Sequence, residues 1–429
     1  MSSLGIVPTL VGKELRAGFL DESEIRATVA AGLARMALGG RRVLVIVPDG
    51  TRTMPMPLLF GILEQELTGK VKRLDYLIAT GTHAGMSDAQ LSRHVGRPVM
   101  DGAAGTSRIF NHASDDELSL ASLGTIPAAE ISAISGGLLT ESVEVRLNRA
   151  ILDYDHILIC GPVFPHEVAG FSGGTKYLFP GIAGREIIDF THWLGALVTS
   201  SEIIGVAETP VRRVIDRAAA LVPRPHSLIA LVTHHEGVGG VFCGPVDQAW
   251  RAAAELSAKR HVIQLAKPVK RILAIMPEMY SDLWTGAKGM YKSEPAVADG
   301  GEVVIYAPHI REVSHVHGHL IEEIGYHCRD YFLAQWDRFR HYPGGVLAHS
   351  THVKGKGAYD AATGVETPRI TVTLATGIPE SVCRAINLGY QDPASVDQDE
   401  WLAHADHDWL VIPRAGEMLY RTGETCTSR

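Results

Sequence analysis

The chain has 429 residues, 46% of them apolar and 21% charged, and its 40 Lys and Arg stand against 48 Asp and Glu, a formal net charge of −8 with His neutral. This length exceeds the roughly 250–300 residues at which a single core stops growing, so two domains are expected. The acidic balance and the lack of a basic block argue against nucleic acid as a partner.

The opening MSSLGIVPTLVGKEL has no basic segment leading into an apolar one, and no run of about 18 uninterrupted apolar residues occurs. A cytoplasmic protein without a membrane span is therefore expected. Cys160, Cys243, Cys328, Cys383 and Cys426 form no CxxC pair and leave one unpaired, which predicts reduced, buried thiols rather than a disulfide scaffold or zinc knuckle.

In chain order, Asp21 is a natural N-cap for a helix carrying Ile25, Val29, Leu33 and Met36 and stopping near Gly39-Gly40. The apolar run 42–47 then fits a strand buried on both faces of a parallel sheet, and it ends in Pro48-Asp49-Gly50-Thr51-Arg52-Thr53. A second run, 74–79, ends in Thr80-Gly81-Thr82-His83, and a third, 155–160, leads into a stretch holding His166, Lys176 and His192. Open α/β sheets bind ligands at the carboxyl ends of their strands, so these loops are the candidate site.

A further strand is expected at 227–232 and a helix from an Asp247 cap to Leu265. Lys267-Pro268-Val269-Lys270 reads as a hinge. Beyond it, strands are expected at 271–277, 302–307, 370–374 and 409–412, with Gly286-Ala287-Lys288-Gly289-Met290 in a loop. The predicted fold is thus two α/β domains with mainly parallel sheets, 1–268 and 269–429, and an active-site cleft between them.

Gly170-Phe171-Ser172-Gly173-Gly174-Thr175-Lys176 is either a tight turn or an anion cradle of backbone N–H groups beside a lysine; it lacks the Gly-Lys-Ser/Thr order of a Walker loop. His83, His166 and His192 are of the type that exchanges protons near neutrality or binds metal, but no HExxH spacing supports a protein-only zinc site. Asp49-Gly50 could be a plain turn, whereas Arg52 adds a fork suited to carboxylate or phosphate. His315, His317 and His319 would share one face if extended, and 345–355 reads as another strand-to-loop transition without an assigned role.

Taken together, Asp49-Gly-Thr-Arg52, Gly81-Thr-His83, Pro165-His166-Glu167, Gly170-Phe-Ser-Gly-Gly-Thr-Lys176, Thr191-His192 and Lys288-Gly-Met290 resemble the lactate racemase family, nickel-pincer-nucleotide-dependent 2-hydroxyacid racemases and epimerases. The resemblance implies a pyridinium mononucleotide with two thiocarboxyl groups that holds nickel, joined to Lys176 by a thioamide, with His192 as the protein's metal ligand. It implies His83 and His166 as paired acid/base residues and Asp49, Gly50, Thr51 and Arg52 as nucleotide contacts. Arg52, Thr285 and Lys288 are then substrate contacts, and Thr285 stands where lactate-specific members carry Gln. A small 2-hydroxy acid and cofactor-loading proteins are the implied partners. Two other readings of the residues remain: a hydrolase or lyase using His166 and His192 on an ordinary metal, and a cofactor-binding protein without turnover.

Overall fold

The computed structural model describes residues 9–404 and 408–423. The first 8 residues and the last 6, Cys426 among them, lie outside the described residues. Two mainly parallel sheets with helices against them make a mixed α/β fold.

The first sheet contains β1 (Val11–Glu14), β2 (Arg42–Pro48), β3 (Arg73–Ala79), β4 (Ala103–Ala104), β5 (Ser107–Asn111), β6 (His156–Pro162), β7 (His226–His234) and β8 (Gly237–Gly244). Their spatial order is β1-β8-β7-β6-β2-β3-β5-β4. The central five run parallel, and β1, β8 and β4 pair antiparallel at the margins. Val43 to Val47 are fully buried, as a strand covered on both faces requires. Helix α1 (Glu22–Arg35) starts at Asp21 with a full capping box, Asp21 Oδ1 accepting from Glu24 N and Glu24 Oε2 from Asp21 N.

Beyond Lys267-Pro268 the second sheet contains β9 (Val269–Ile275), β10 (Val297–Ala307), β11 (Thr371–Thr376), β12 (Gly389–Tyr390) and β13 (Trp409–Ile412), all parallel, in the order β12-β11-β10-β9-β13. One apolar cluster runs from Leu44 and Ile159 of the first sheet to Ile305 and Leu374 of the second. Helices α2 (Arg185–Val198) and α4 (Gly344–Lys354) join the halves: Gly345 N donates to Asp189 Oδ1 at 2.8 Å, and a Cβ on Gly344 would sit 2.4 Å from the Asp189 carbonyl oxygen.

Three expectations need correction. The segment 345–355 is not a strand-to-loop transition but helix α4, buried from Gly345 to Val353; a helix covered on every side shows no amphipathic period to betray it. The helix expected to reach Leu265 is α3 (Val246–His261), capped at Pro245 rather than Asp247, and Val262–Leu265 is a strand pairing parallel with Leu419–Thr422. His315, His317 and His319 are not extended, because His319 is already inside the helix Gly318–Ile324. Cys160, Cys243, Cys328 and Cys383 are free and buried, as expected.

Candidate functional site

Strands β6, β2 and β3 are neighbours and parallel, so Pro162, Pro48 and Ala79 bring their carboxyl ends side by side. The three following loops and α2 form one wall of a cavity of about 120 Å³, and residues 284–291 with α4 form the other. Asp49, Arg52, His83, His166, Lys176 and His192 line it together with Thr285 and Lys288. Gly50 and Thr51 are not among its lining. Thr51 instead braces the loop: its N and Oγ1 donate to Asp49 Oδ1 at 3.0 and 2.6 Å, and its hydroxyl accepts from Arg52 Nη1 at 2.8 Å.

Each histidine of the first wall is held by one ring nitrogen. His83 Nδ1 donates to Asp49 Oδ2 at 2.6 Å, so in the neutral ring Nε2 keeps the lone pair. Burial raises the Asp49 carboxyl, but the His83 ring, Arg52 and Thr51 outweigh it and hold the group well below the usual range. His166 is the reverse case. Its Nδ1 accepts from Val168 N at 3.1 Å, which leaves the proton on Nε2. Burial, with the cations Lys176 and Arg52, pushes this ring far below its ordinary pKa, so the Glu167 carboxylate 3.4 Å away faces an uncharged imidazole.

His192 Nδ1 donates to the Ile188 carbonyl one turn earlier at 2.6 Å, leaving Nε2 free; burial takes its pKa down to about 4. Burial and then Arg52 lower the Lys176 amine to about 7, and among the described residues it makes no hydrogen bond or ion pair. The turn ahead of it demands glycine: Gly173 and Gly174 have φ of +77° and +62°, and a Cβ on Gly173 would lie 2.5 Å from Val163.

Lys288 lies on a short helix, Lys288–Tyr291, with Nζ 4.7 Å above the Tyr280 ring and only a long 3.4 Å hydrogen bond to the Thr285 carbonyl. Burial, then Arg52, lowers it to about 7. Thr285 is occupied within its own turn, donating to Asp282 Oδ1 at 2.7 Å. The second wall also holds residues that sequence reasoning did not assign: Trp284, Tyr291, His349 and His352. Trp284 and His349 stack at 4.0 Å with an interplanar angle of 7°. The three-residue spacing of His349 and His352 was the one available signal, since it puts both on one face once the segment is a helix. Glu167, quoted only within a motif, is a half-buried carboxylate among these cations: burial raises it, but a hydrogen bond from its own backbone N–H, then Lys288, His352 and Lys176, bring it below its ordinary value.

Residues 22–205 match the lactate racemase N-terminal domain. Over 280 residues the chain is 26% identical to the lactate racemase of Thermoanaerobacterium thermosaccharolyticum, and over 283 residues 22% identical to that of Lactiplantibacillus plantarum. The first half of the chain thus carries the lactate racemase N-terminal domain, and the chain is similar to lactate racemases. Each match takes in 64% of this chain and 62% of the relative, less than two thirds of the lactate racemases' own length. Among solved structures, a protein from Thermotoga maritima is 32% identical with a TM-score of 0.87, covering 95% of this chain and 100% of the other. The lactate racemase apoprotein of T. thermosaccharolyticum, 19% identical with a TM-score of 0.68 over 90% and 88%, shares the fold.

The cofactor that the resemblance implies would call for a metal ligand and an anchoring amine from the protein. Among the described residues, the one group of His, Cys, Asp and Glu side chains close enough to hold a metal is His234, His235 and Glu236, at the turn between β7 and β8. At the cavity the protein offers a free imidazole nitrogen on His192 and an unpaired amine on Lys176, so a metal held there would need its remaining ligands from a bound organic group. These donors are of the kind a nickel-pincer nucleotide would need, an amine on Lys176 that could anchor it and an imidazole nitrogen on His192 that could complete its metal.

Proposed function

We propose that this protein is a racemase or epimerase that inverts C2 of a 2-hydroxy acid. The observation that carries the reading is the opposite arrangement of two imidazoles at one cavity, His83 with a free lone pair on Nε2 and His166 with its proton there. When bound to Lys176, the nickel-pincer nucleotide supplies a hydride acceptor that returns the hydride to either face.

The chain's own residues handle everything else. Arg52 and Lys288 hold the substrate carboxylate from opposite walls, a charge-assisted grip that would aim the single C2 hydrogen at the cofactor. His83 Nε2 takes the hydroxyl proton as C2 loses hydride, and the product of that half-reaction is a planar 2-keto acid. When the keto group presents its other face, hydride returns there and the oxygen takes its proton from His166, which must first be charged as the imidazolium beside Glu167, because a neutral ring that gave up its Nε2 proton would be left as imidazolate. Protons and hydride balance, so no net oxidation occurs. Asp49 fixes the His83 tautomer and stabilises the ring once it is protonated. Closure of 1–268 against 269–429 about Lys267-Pro268 would exclude water from the hydride.

The same reading puts the protein in the cytoplasm beside the proteins that load its cofactor; no helix of the described residues is long and apolar enough to cross a membrane. The test is coexpression with cofactor-making enzymes, followed by mass spectrometry and chiral chromatography. A mass increment on the Lys176 peptide, together with inversion of a 2-hydroxy acid, is expected. An active protein with unmodified Lys176 would overturn the reading.

A further inference from the structure

The β7–β8 hairpin carries a side-chain cluster that the racemase reading leaves unused. His234 ends β7, Gly237 opens β8 opposite it, and His235 and Glu236 make the two-residue turn between them. Turns of this length favour Asn-Gly or Asp-Gly, which reach positive φ. Neither His235 nor Glu236 has positive φ, so turn geometry does not select this pair.

Successive residues of a strand point to opposite faces, which would separate two adjacent imidazoles. The register of β7 against β8 shifts between Val232 and Thr233, and the His234 and His235 rings lie with centroids 4.0 Å apart and planes at 46°. With Glu236 they offer three ligand atoms that all lie within 4.8 Å of one another. His234 Nδ1 is buried without a hydrogen bond, and Glu236 Oε2 stands 3.2 Å from it. With metal–ligand bonds of about 2.1 Å, the edge of a tetrahedron around zinc is about 3.4 Å. The imidazole and the carboxylate are therefore spaced as two ligands of one ion.

The cluster is open to solvent and braced from behind. His234 and Glu236 line a surface cavity of about 310 Å³, and the side chains of His235 and Glu236 are 41% and 61% exposed. An ion can reach them without opening the core. Behind His235 stands Glu417 of the second half, its Oε2 3.8 Å from His235 Nδ1. A metal-binding imidazole commonly turns its other ring nitrogen to a carboxylate, which fixes the ring. Glu417 is itself held: Oε1 accepts from Thr53 Oγ1, and its carbonyl accepts from Lys292 Nζ at 2.9 Å.

Arg16, Lys259 and Arg260 line the same cavity, and Arg260 donates to the Leu15 carbonyl at 2.9 Å and lies over the Phe19 ring. These cations disfavour magnesium or calcium, which oxygen ligands hold by charge, whereas an ion bound through imidazole gains from the nitrogens. Independently of the racemase reading, we propose that His234, His235 and Glu236 bind a divalent transition-metal ion such as zinc, separate from the nickel proposed at His192, with Glu417 as the positioning carboxylate behind His235. Three protein ligands leave a position for water. Because Glu417 also holds Thr53, the neighbour of Arg52, the ion ties the hairpin to the second half beside the Arg52 loop.

The test uses the full chain expressed without cofactor-making enzymes, stripped with a chelator and titrated with zinc alone by calorimetry. One equivalent is expected to bind with Kd below about 10 μM, and saturating zinc should raise Tm. His235→Gln and Glu236→Gln, both at exposed side chains, should each weaken zinc by at least about tenfold and abolish the rise in Tm. Glu417→Gln should weaken it by about 10- to 100-fold, while His192→Gln should leave this equivalent in place. Zinc bound only above about 1 mM, or an affinity unchanged in His235→Gln and Glu236→Gln, overturns the site. Loss of the equivalent in His192→Gln overturns it too, by moving the ion to the main cavity, and an unchanged affinity in Glu417→Gln overturns the positioning role.

Discussion

The two walls of the cavity differ in how their polar atoms are spent. On the first, His83, His166 and His192 each use one ring nitrogen on a partner in the scaffold, Asp49, Val168 N and the Ile188 carbonyl. On the second, His349 spends Nε2 on the Trp284 carbonyl but its Nδ1 is buried without a partner, His352 makes no hydrogen bond through its ring among the described residues, and Lys288 has one weak hydrogen bond. Groups that must perform chemistry are aimed before anything binds, which removes reorganisation from the reaction. Groups that recognise a ligand can leave their capacity open, because the ligand completes them.

If that division holds, the largest effects come from the first wall. Lys176→Ala should remove both the covalent mass increment and all inversion, and retained activity would break the comparison outright. His83→Gln and His166→Gln should each lower kcat by about 10²–10⁴-fold while the increment on Lys176 remains, the usual scale of acid/base catalysis. Asp49→Asn should approach the His83 variant, because an amide can donate to Nδ1 and turn the ring to the wrong tautomer. A loss confined to KM would instead make Asp49 a binding residue.

The first wall also predicts a pH signature in protein without cofactor. An amine whose pKa is depressed to about 7 is neutral above that value and protonated below it. Acylation of Lys176 by a small amine-reactive ester, followed by peptide mass spectrometry, should fall away as pH drops through about 7. Ordinary exposed lysines lose reactivity nearer their usual value of about 10.4. A Lys176 profile matching theirs would mean that burial does not govern this amine.

On the second wall effects should be smaller and should appear as selectivity. Thr285→Gln should change the ratio of lactate to longer-acid kcat/KM by about tenfold, the scale of one small contact. A uniform fall across substrates would show that Thr285 serves the fold through Asp282 rather than the ligand.

Much of the first wall was legible in the chain. The run Val43 to Val47 is continuous because both faces are buried; after such runs His83 stands in a turn, His166 in a two-residue strand and Lys176 in a 3₁₀ turn, whereas His192, expected in a loop or at a helix start, lies in the middle of α2. Asp21 announced α1 through the hydrogen bonds its carboxylate makes. Of the second wall only Thr285 and Lys288 were legible, through the resemblance; α4 is buried all round, so its pattern read as strand and loop, and His349 and His352 passed without a role. Trp284 and Tyr291 resemble core aromatics until the cavity between them and the first wall is seen.

By itself, then, the sequence determined where buried strands run and which polar residues follow them, because burial on two faces is a local property that each segment records in its own composition. Only the tertiary structure decided that β2 lies between β3 and β6, that α4 docks on α2, and that His352 stands between two cavities. Those choices come from strand pairing and packing between segments 31 (Arg42 and Arg73) to 156 (Asp189 and Gly345) residues apart, and no single segment contains the contact that selects them.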